Sequence, residues 1–257
     1  MCLIAFTLGQ HPDFPLVVAA NRDEFFRRPT APMDWWTTEQ STEILAGRDL
    51  QSGGTWLAVA RDGRVSAVTN VREGSPETDQ TSRGELPIRA LAEPISALAG
   101  SLSSRTEQYA GFNLVYLNEA SGWYYSNRDA HPGRRVHRGA YGLSNHLLQT
   151  PWPKLLRLRQ NVADVVASSG GDADQLHQAL IPLLQDTTPA PDDLLPDTGV
   201  GLDTERFLSS PFIVGDAYGT RATTIVSVSR HGQITVSEQS WGSNAQALEY
   251  RRFQWQR

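Results

Sequence analysis

A single cysteine stands at position 2, and from it every second residue is apolar: Cys2, Ile4, Phe6 and Leu8. A period of two marks a half-buried strand, because successive side chains leave a strand on opposite faces. Gly9-Gln10-His11-Pro12-Asp13 follows, rich in residues that turn the chain, and Leu16 to Ala20 reads as a second strand. Joined as a hairpin, the two strands return Asn21-Arg22-Asp23-Glu24 to the neighbourhood of Cys2. A thiol, an amide, a guanidinium and two carboxylates are thereby gathered at one end of a small sheet.

Cys2 follows the initiator methionine directly and is small enough for that methionine to be trimmed. Trimming gives one residue a thiol of ordinary pKa about 8.5 and an α-amine of about 7.7–8.0. A base poised near neutrality then adjoins a nucleophile, the arrangement of an N-terminal nucleophile enzyme. The competing reading is a small buried hydrophobe in a first strand. If the second strand is regular, residues 21 and 23 share one face and residues 22 and 24 the other. Asn21 and Asp23 then point the same way as Arg22 only through a bulge. Arg22 depresses the thiol pKa if it faces Cys2; otherwise it is a strand-end ion-pair partner.

Further along, Phe25 to Trp36 reads as a loop whose Trp35-Trp36 pair caps the core or lines a pocket. Gly47-Arg48-Asp49 to Gly53-Gly54 reads as another loop. Trp56 to Ala60 and Arg64 to Asn70 flank Arg61-Asp62-Gly63, a hairpin signal that delivers Asn70 to a strand end. Val71 to Glu85 is polar and is expected as an exposed loop beside the site. Apolar spacing predicts helices over Leu86 to Ala99, Pro153 to Ser168 and Asp174 to Leu184, two of them opened by a proline. Phe112 to Asn118 pairs with Trp123 to Asn127 across a turn, and Arg134 to His137 and Tyr141 to Ser144 add short extended pieces. Residues 186–204 are rich in Asp, Pro and Thr and read as a long surface connection, a lid or mobile insert. Phe212 to Val214, Ala222 to Val228 and Ile234 to Gln239 complete the strands. Strands at both ends with helices between indicate an α+β layered domain, with no internal repeat or break across residues 1–257.

Composition narrows the function. A net charge of −5 gives no reason to expect nucleic acid or an anionic membrane surface as partner. One cysteine excludes an intramolecular disulfide, and six scattered histidines without an H-x-x-x-H pair give no metal site. No apolar run approaches the roughly 18 residues of a membrane span. The N-terminus lacks the basic and long apolar regions of a secretory signal, so the expected location is cytoplasmic. Phosphate-cradling glycine motifs and a G-x-S-x-G elbow are likewise missing.

Met1-Cys2 and Asn21-Arg22-Asp23-Glu24 resemble the NRDE family, also called the transport and Golgi organisation protein 2 family. Further matches occur in order: Gly54-Thr55-Trp56-Leu57, Ala67-Val68-Thr69-Asn70, Gly111-Phe112-Asn113-Leu114, Gly142-Leu143-Ser144-Asn145, Thr150-Pro151-Trp152-Pro153-Lys154 and Tyr218-Gly219-Thr220-Arg221-Ala222-Thr223-Thr224. They span nearly the whole chain. More distantly, the pattern is similar to the cysteine N-terminal nucleophile hydrolases. That second resemblance implies a four-layer αββα sandwich, two antiparallel sheets with helices on the outer faces. It also implies roles: Cys2 as nucleophile, Asp23 holding the α-amine, Asn70 and Asn145 around the acyl carbonyl, and Arg221 as a late arginine near the nucleophile. In those hydrolases the corresponding strand holds an Arg and an Asp separated by two residues, whereas Arg22 and Asp23 are adjacent. Read without the resemblance, each asparagine is a turn cap and Arg221 a surface charge.

The expected activity is hydrolysis or acyl transfer on an amide or thioester of a small acylated molecule, with no cofactor required. The alternative is a haem or acyl-lipid carrier on the same fold, with haem as ligand. It draws on the family's association with acyl-lipid metabolism and haem mobilisation, and on thiolate as a haem ligand.

Overall fold

A computed structural model describes residues 2–73 and 80–257. The first hairpin forms as the alternation requires. β1 (Cys2–Leu8) and β2 (Leu16–Phe25) pair antiparallel, with Cys2 opposite Arg22 and Leu8 opposite Leu16. β2 runs five residues past the apolar segment and carries all four polar residues inside the ladder.

The chain then builds a second sheet. β3 (Thr30–Thr37), β4 (Glu43–Asp49), β5 (Leu57–Ala60) and β6 (Val65–Asn70) follow in sequence. The segment from Phe25 to Trp36 is therefore not the loop expected. Most of it is an edge strand, where Pro32 is tolerated because the ladder is bulged between Ala31 and Asp34. Its Trp35 packs edge-on against Trp255 with ring centroids 4.9 Å apart, capping the core. Gly47, Arg48 and Asp49 likewise belong to a strand. The predicted helix over Leu86 to Ala99 divides into α1 (Leu86–Ala92) and α2 (Ile95–Ser104). Pro94 has no amide hydrogen and pushes Glu93 to an extended φ of −110° and ψ of 154°.

β7 (Phe112–Leu117), β8 (Gly122–Ser126) and β9 (Gly133–Val136) complete this sheet, and β10 (Gly139–Leu143) crosses back to pair with β1. α3 (Pro153–Ser168) has the predicted bounds, and α4 (Ala173–Leu184) starts where Asp172 accepts bonds from Asp174 N at 2.8 Å and Gln175 N at 3.0 Å. Residues 186–204 are tied to the body: Arg157 donates to Thr188 O at 2.6 Å, and Ala190 is buried. The short α5 (Leu202–Phe207) follows. Phe212 to Val214 is irregular rather than a strand, with Ile213 N donating to the Thr220 hydroxyl at 2.9 Å. The last three strands are β11 (Tyr218–Val228), β12 (Gln233–Trp241) and β13 (Ala247–Gln256). No strand was expected at β13; its outward side carries exposed Leu248 and Tyr250 beside Arg252 and Gln254, while Phe253 and Trp255 pack inward.

The two sheets have orders β10-β1-β2-β11-β12-β13 and β3-β4-β5-β6-β7-β8-β9. Between them lies one core, with Ile4, Phe6, Val18 and Val226 from one side and Val59, Val65, Val115 and Tyr124 from the other. Leu3, Val17 and Ala19 face the opposite way and pack under α3 and α4. Leu86, Leu98 and Leu102 cover the second sheet. The result is the four-layer αββα sandwich, with the Cys2 end of β1 and the end of β6 meeting at one edge of the interior. Among the described residues, no helix is long and apolar enough to cross a membrane.

Candidate functional site around Cys2

Cys2 is 7 % exposed and lines a cavity of ≈ 380 Å³ together with Arg22, Glu24, Arg28, Asp49, Trp56, Asn70 and Arg83. A larger cavity of ≈ 980 Å³ adjoins it and shares Glu24, Asn70 and Arg83. The regular pairing of β1 with β2 puts Cys2 and Arg22 on one face, toward the interior. Arg22 lies over the Trp56 ring at 4.2 Å, donates to the Thr30 hydroxyl at 3.1 Å and stands 3.5 Å from the Asp49 carboxylate. Arg22 thus faces Cys2 and also stands beside an acid at the strand end. Burial pushes the Cys2 thiol above its ordinary pKa, Asp23 adds to that, and the Arg22 charge pulls the other way.

Asn70 and Asn145 come together although 75 residues separate them. Asn145 Nδ2 donates to Asn70 O at 3.1 Å and to Asn70 Oδ1 at 3.0 Å. That bond uses the acceptor oxygen of the Asn70 amide, so its NH₂ is left to donate into the cavity. Asn145 itself is fully buried and does not line the cavity. The segment carrying it is sutured to both sheets. Thr69 donates to Ser144 O at 2.6 Å, Arg72 N donates to Asn145 O at 2.7 Å, and Asn113 donates to His146 O at 3.0 Å. Ser144 Oγ reaches the Cys2 carbonyl at 3.4 Å.

Asp23 and Asn21 point to the other face of β2, as regular alternation demands. Asn21 donates to Leu184 O at 2.7 Å and Pro211 O at 2.9 Å, and accepts from the Thr223 hydroxyl at 2.7 Å. Asp23 accepts from the Thr220 hydroxyl at 2.7 Å and is buried. Burial raises its pKa, while the Lys154 and Arg72 charges oppose the rise. Sequence reasoning missed this buried cluster. Lys154 donates to Leu208 O at 2.7 Å, and burial, countered by Asp23, brings it down to about 8. Arg72 pairs with buried Glu205 and lies 4.8 Å from the Trp152 ring centroid. Its Nε and Nη2, like the Tyr218 hydroxyl, are buried with no hydrogen-bond partner among the described residues. One signal was present for Lys154: it occupies the first place in the stripe Lys154, Leu158, Val162, Val166, the buried side of α3.

Arg221 is not brought to the cavity. It occupies the bulge between Thr220 and Ala222, where β11 slips against β2. There its guanidinium donates to Phe25 O at 3.2 Å, to Arg28 O, and to the Thr30 hydroxyl at 3.2 Å. It lines a separate cavity of ≈ 170 Å³ with Arg22, Trp56 and Glu238. Of the exposed loop expected at Val71 to Glu85, residues 74–79 lie outside the described residues; Gln80 to Gly84 line the Cys2 cavity. Among the described residues, no group of three or more His, Cys, Asp or Glu side chains could hold a metal ion.

A protein-family model described as Transport and Golgi organisation 2 matches residues 1–243. The chain is 34 % identical over 259 residues to the Transport and Golgi organization protein 2 homolog of Homo sapiens, covering 93 % of each. It is 32 % identical over 261 residues to the homolog of Mus musculus, again covering 93 % of each. Among solved structures, the mutant C2A conjugated bile acid hydrolase from Clostridium perfringens aligns with a TM-score of 0.52 over 98 % of this chain and 92 % of that one. Identity there is 8 %, so the likeness is one of fold, that of the N-terminal nucleophile hydrolases.

Proposed function

The chain belongs to the Transport and Golgi organisation 2 family, and we propose that it is a hydrolase or acyltransferase that cleaves an amide or thioester through Cys2. The observation that carries this reading is the Cys2 thiol in a cavity with Arg22 and with the Asn70 amide that Asn145 orients.

With Met1 removed, the Cys2 α-amine takes the thiol proton as Sγ attacks the acyl carbon. The carbonyl electron pair moves onto oxygen, where Asn70 Nδ2 donates; a fixed neutral amide is suited to that task at any working pH. Collapse of the tetrahedral intermediate breaks the C–N or C–S bond, and the ammonium proton leaves with the amine or thiol. Water, giving its proton to the same amine, attacks the acyl-Cys2 thioester. The acid is released and the thiol restored; an acceptor amine or thiol in place of water makes the reaction a transfer. Asp23 holds the ammonium form from the far side of β2, and Arg22 favours the thiolate. No cofactor takes part. A cytoplasmic location goes with this reading because a thiol nucleophile stays reduced there, and cell fractionation checks it.

Two measurements test the proposal. Intact mass of the purified protein should show the loss of one methionine. Cys2→Ala should abolish turnover of whichever N-acyl amide or acyl thioester the protein accepts. Turnover that survives both Cys2→Ala and Cys2→Ser overturns it. A second reading, carriage of haem or an acyl lipid without catalysis, is supported by the ≈ 980 Å³ cavity beside Cys2. Titration with haem, followed by visible absorbance, would show saturable binding; a featureless titration removes the haem version.

A further inference from the structure

Three guanidinium groups and two carboxylates line the cavity at Cys2: Arg22, Arg28 and Arg83 against Glu24 and Asp49. Two of the three cations are held by acids. Arg22 stands 3.5 Å from Asp49, and Arg28 stands 2.6 Å from Asp49 and 3.9 Å from Glu24. Arg83 differs. Its Nη1 donates to Gly111 O at 2.9 Å, and it forms no ion pair among the described residues. It lines the same cavity as Cys2, and its charge interacts with the Cys2 thiol and, more weakly than an ion pair, with Glu24 and Glu73. It also lines the larger cavity, standing where the two spaces join.

The turn that carries Arg83 is clamped. Arg83–Glu85 is a single 3₁₀ turn opened by Ser82, whose hydroxyl accepts from Gly84 N at 3.3 Å. Thr55 N donates to Gly84 O at 2.9 Å, and a Cβ on Gly54 would come within 2.4 Å of Gly84 C. Backbone thus lies directly on backbone, and only glycine permits it at position 54. A guanidinium presented from a fixed turn gives up little freedom when it binds, and its planar fork suits an oxyanion.

We propose that Arg83 binds an anionic group of the substrate, a carboxylate or a phosphate, and thereby holds the scissile acyl bond beside Cys2. The proposal rests on the reading of Cys2 as the nucleophile. The substrate class is then an amide or thioester that also carries an oxyanion. The whole chain is negative, at −5, so selection for such a molecule comes from the local surplus of positive charge and not from long-range attraction.

Two reagents isolate that charge. Iodoacetate transfers a carboxymethyl group and iodoacetamide a carbamidomethyl group to the thiolate sulfur, each forming a C–S bond at the methylene carbon and releasing iodide; only iodoacetate is an anion. The ratio of their rates at Cys2, read by mass spectrometry on the full-length protein, cancels any change in thiol pKa. Relative to wild type, Arg83→Ala should lower the iodoacetate-to-iodoacetamide ratio by about tenfold, the equivalent of one charged hydrogen bond. Arg83→Lys should keep part of it. Inorganic phosphate or acetate should slow labelling by iodoacetate in the wild type only. The anion that does so at lower concentration tells a phosphate-bearing substrate from a carboxylate. An unchanged ratio in Arg83→Ala, labelling by iodoacetamide continuing, overturns the proposal and leaves the nucleophile reading intact. Failure of both anions to slow labelling overturns it, as does a Cys2 that neither reagent reaches. The nucleophile reading falls separately, by turnover in Cys2→Ala.

Discussion

The two halves of β2 continue one alternation of side chains and hold opposite contents. From Leu16 to Ala20 both faces are apolar: Leu16, Val18 and Ala20 enter the core between the sheets, and Val17 and Ala19 pack under the helices. From Asn21 onward the same alternation continues with polar residues. Arg22 joins Cys2 on the inner side, while Asn21 and Asp23 turn toward α3, α4 and the buried Arg72–Glu205 pair. The pairing with β1 does not distinguish the halves; the pairing with β11 does, because its bulge at Arg221 falls opposite Arg22 and Asp23. In the first, stability is an area removed from water; in the second, each buried charge or amide depends on a named partner.

Breaking a partner should therefore cost most. Glu205→Ala leaves the Arg72 guanidinium buried and unpaired, with an expected loss of about 4 kcal/mol in urea unfolding. Replacing both residues, as Arg72→Met with Glu205→Leu, should recover most of that loss. If Glu205→Ala alone costs less than about 1 kcal/mol, the contrast between the halves is wrong. Leu16→Ala, in the apolar half, should cost about 3 kcal/mol with no paired change able to restore it.

A polar knot also covers the apolar half, and it sharpens the comparison through pH. His177 hydrogen-bonds Ser237 and, at 2.9 Å, Ser227, the register partner of Val17. Burial holds its ring at about 4 against an ordinary 6.5. Its contribution is complete above pH 6.5 and declines as pH falls, by about 3 kcal/mol on reaching pH 4. Glu238 runs the other way. It accepts from Met33 N of the second sheet at 2.7 Å, and burial raises its carboxyl from 4.5 to about 7. Its contribution is complete below pH 4.5 and is lost as pH rises to 7. Relative to wild type, His177→Gln should tilt stability downward with rising pH and Glu238→Gln upward. Parallel pH profiles for both variants would contradict these assignments. The smallest effect is expected for Asn21→Ala, about 2 kcal/mol, because two carbonyls and one hydroxyl lose a partner.

What the residues disclosed in advance follows the same division. The first hairpin, the pair β5–β6, the pair β7–β8 and the bounds of α3 all lie in segments where apolar period and turn residues agree. β3 and β13 were illegible because edge strands need bury only half of one face, and in β13 the apolar positions change phase between Tyr250 and Phe253. The break at Pro94 was written in the sequence, but the apolar spacing across it was stronger. At the site, Cys2, Arg22 and Asn70 share the cavity and Asn145 stands behind Asn70. Arg221 lies elsewhere, because a bulge in β11 redirects it. Arg72, Lys154 and Glu205 meet only after three distant segments fold together, and no local pattern announces such a meeting.

The pairing of Cys2 with Arg22 has a consequence of parity. Side chains alternate along β1, so the number of residues between Cys2 and the apolar rungs decides which layer the thiol enters. One residue inserted between Cys2 and Leu3, with the rungs from Leu3 to Leu8 kept in place, would aim the sulfur at α3, away from Asn70. Two would restore its direction but carry it one rung beyond the cavity. Within the ladder, therefore, the chemistry tolerates neither an odd nor an even change in length. The loop at residues 9–15 bears no such count, but it is anchored by Phe14 in the core under the helices and by His11 on Ser169 O at 3.0 Å.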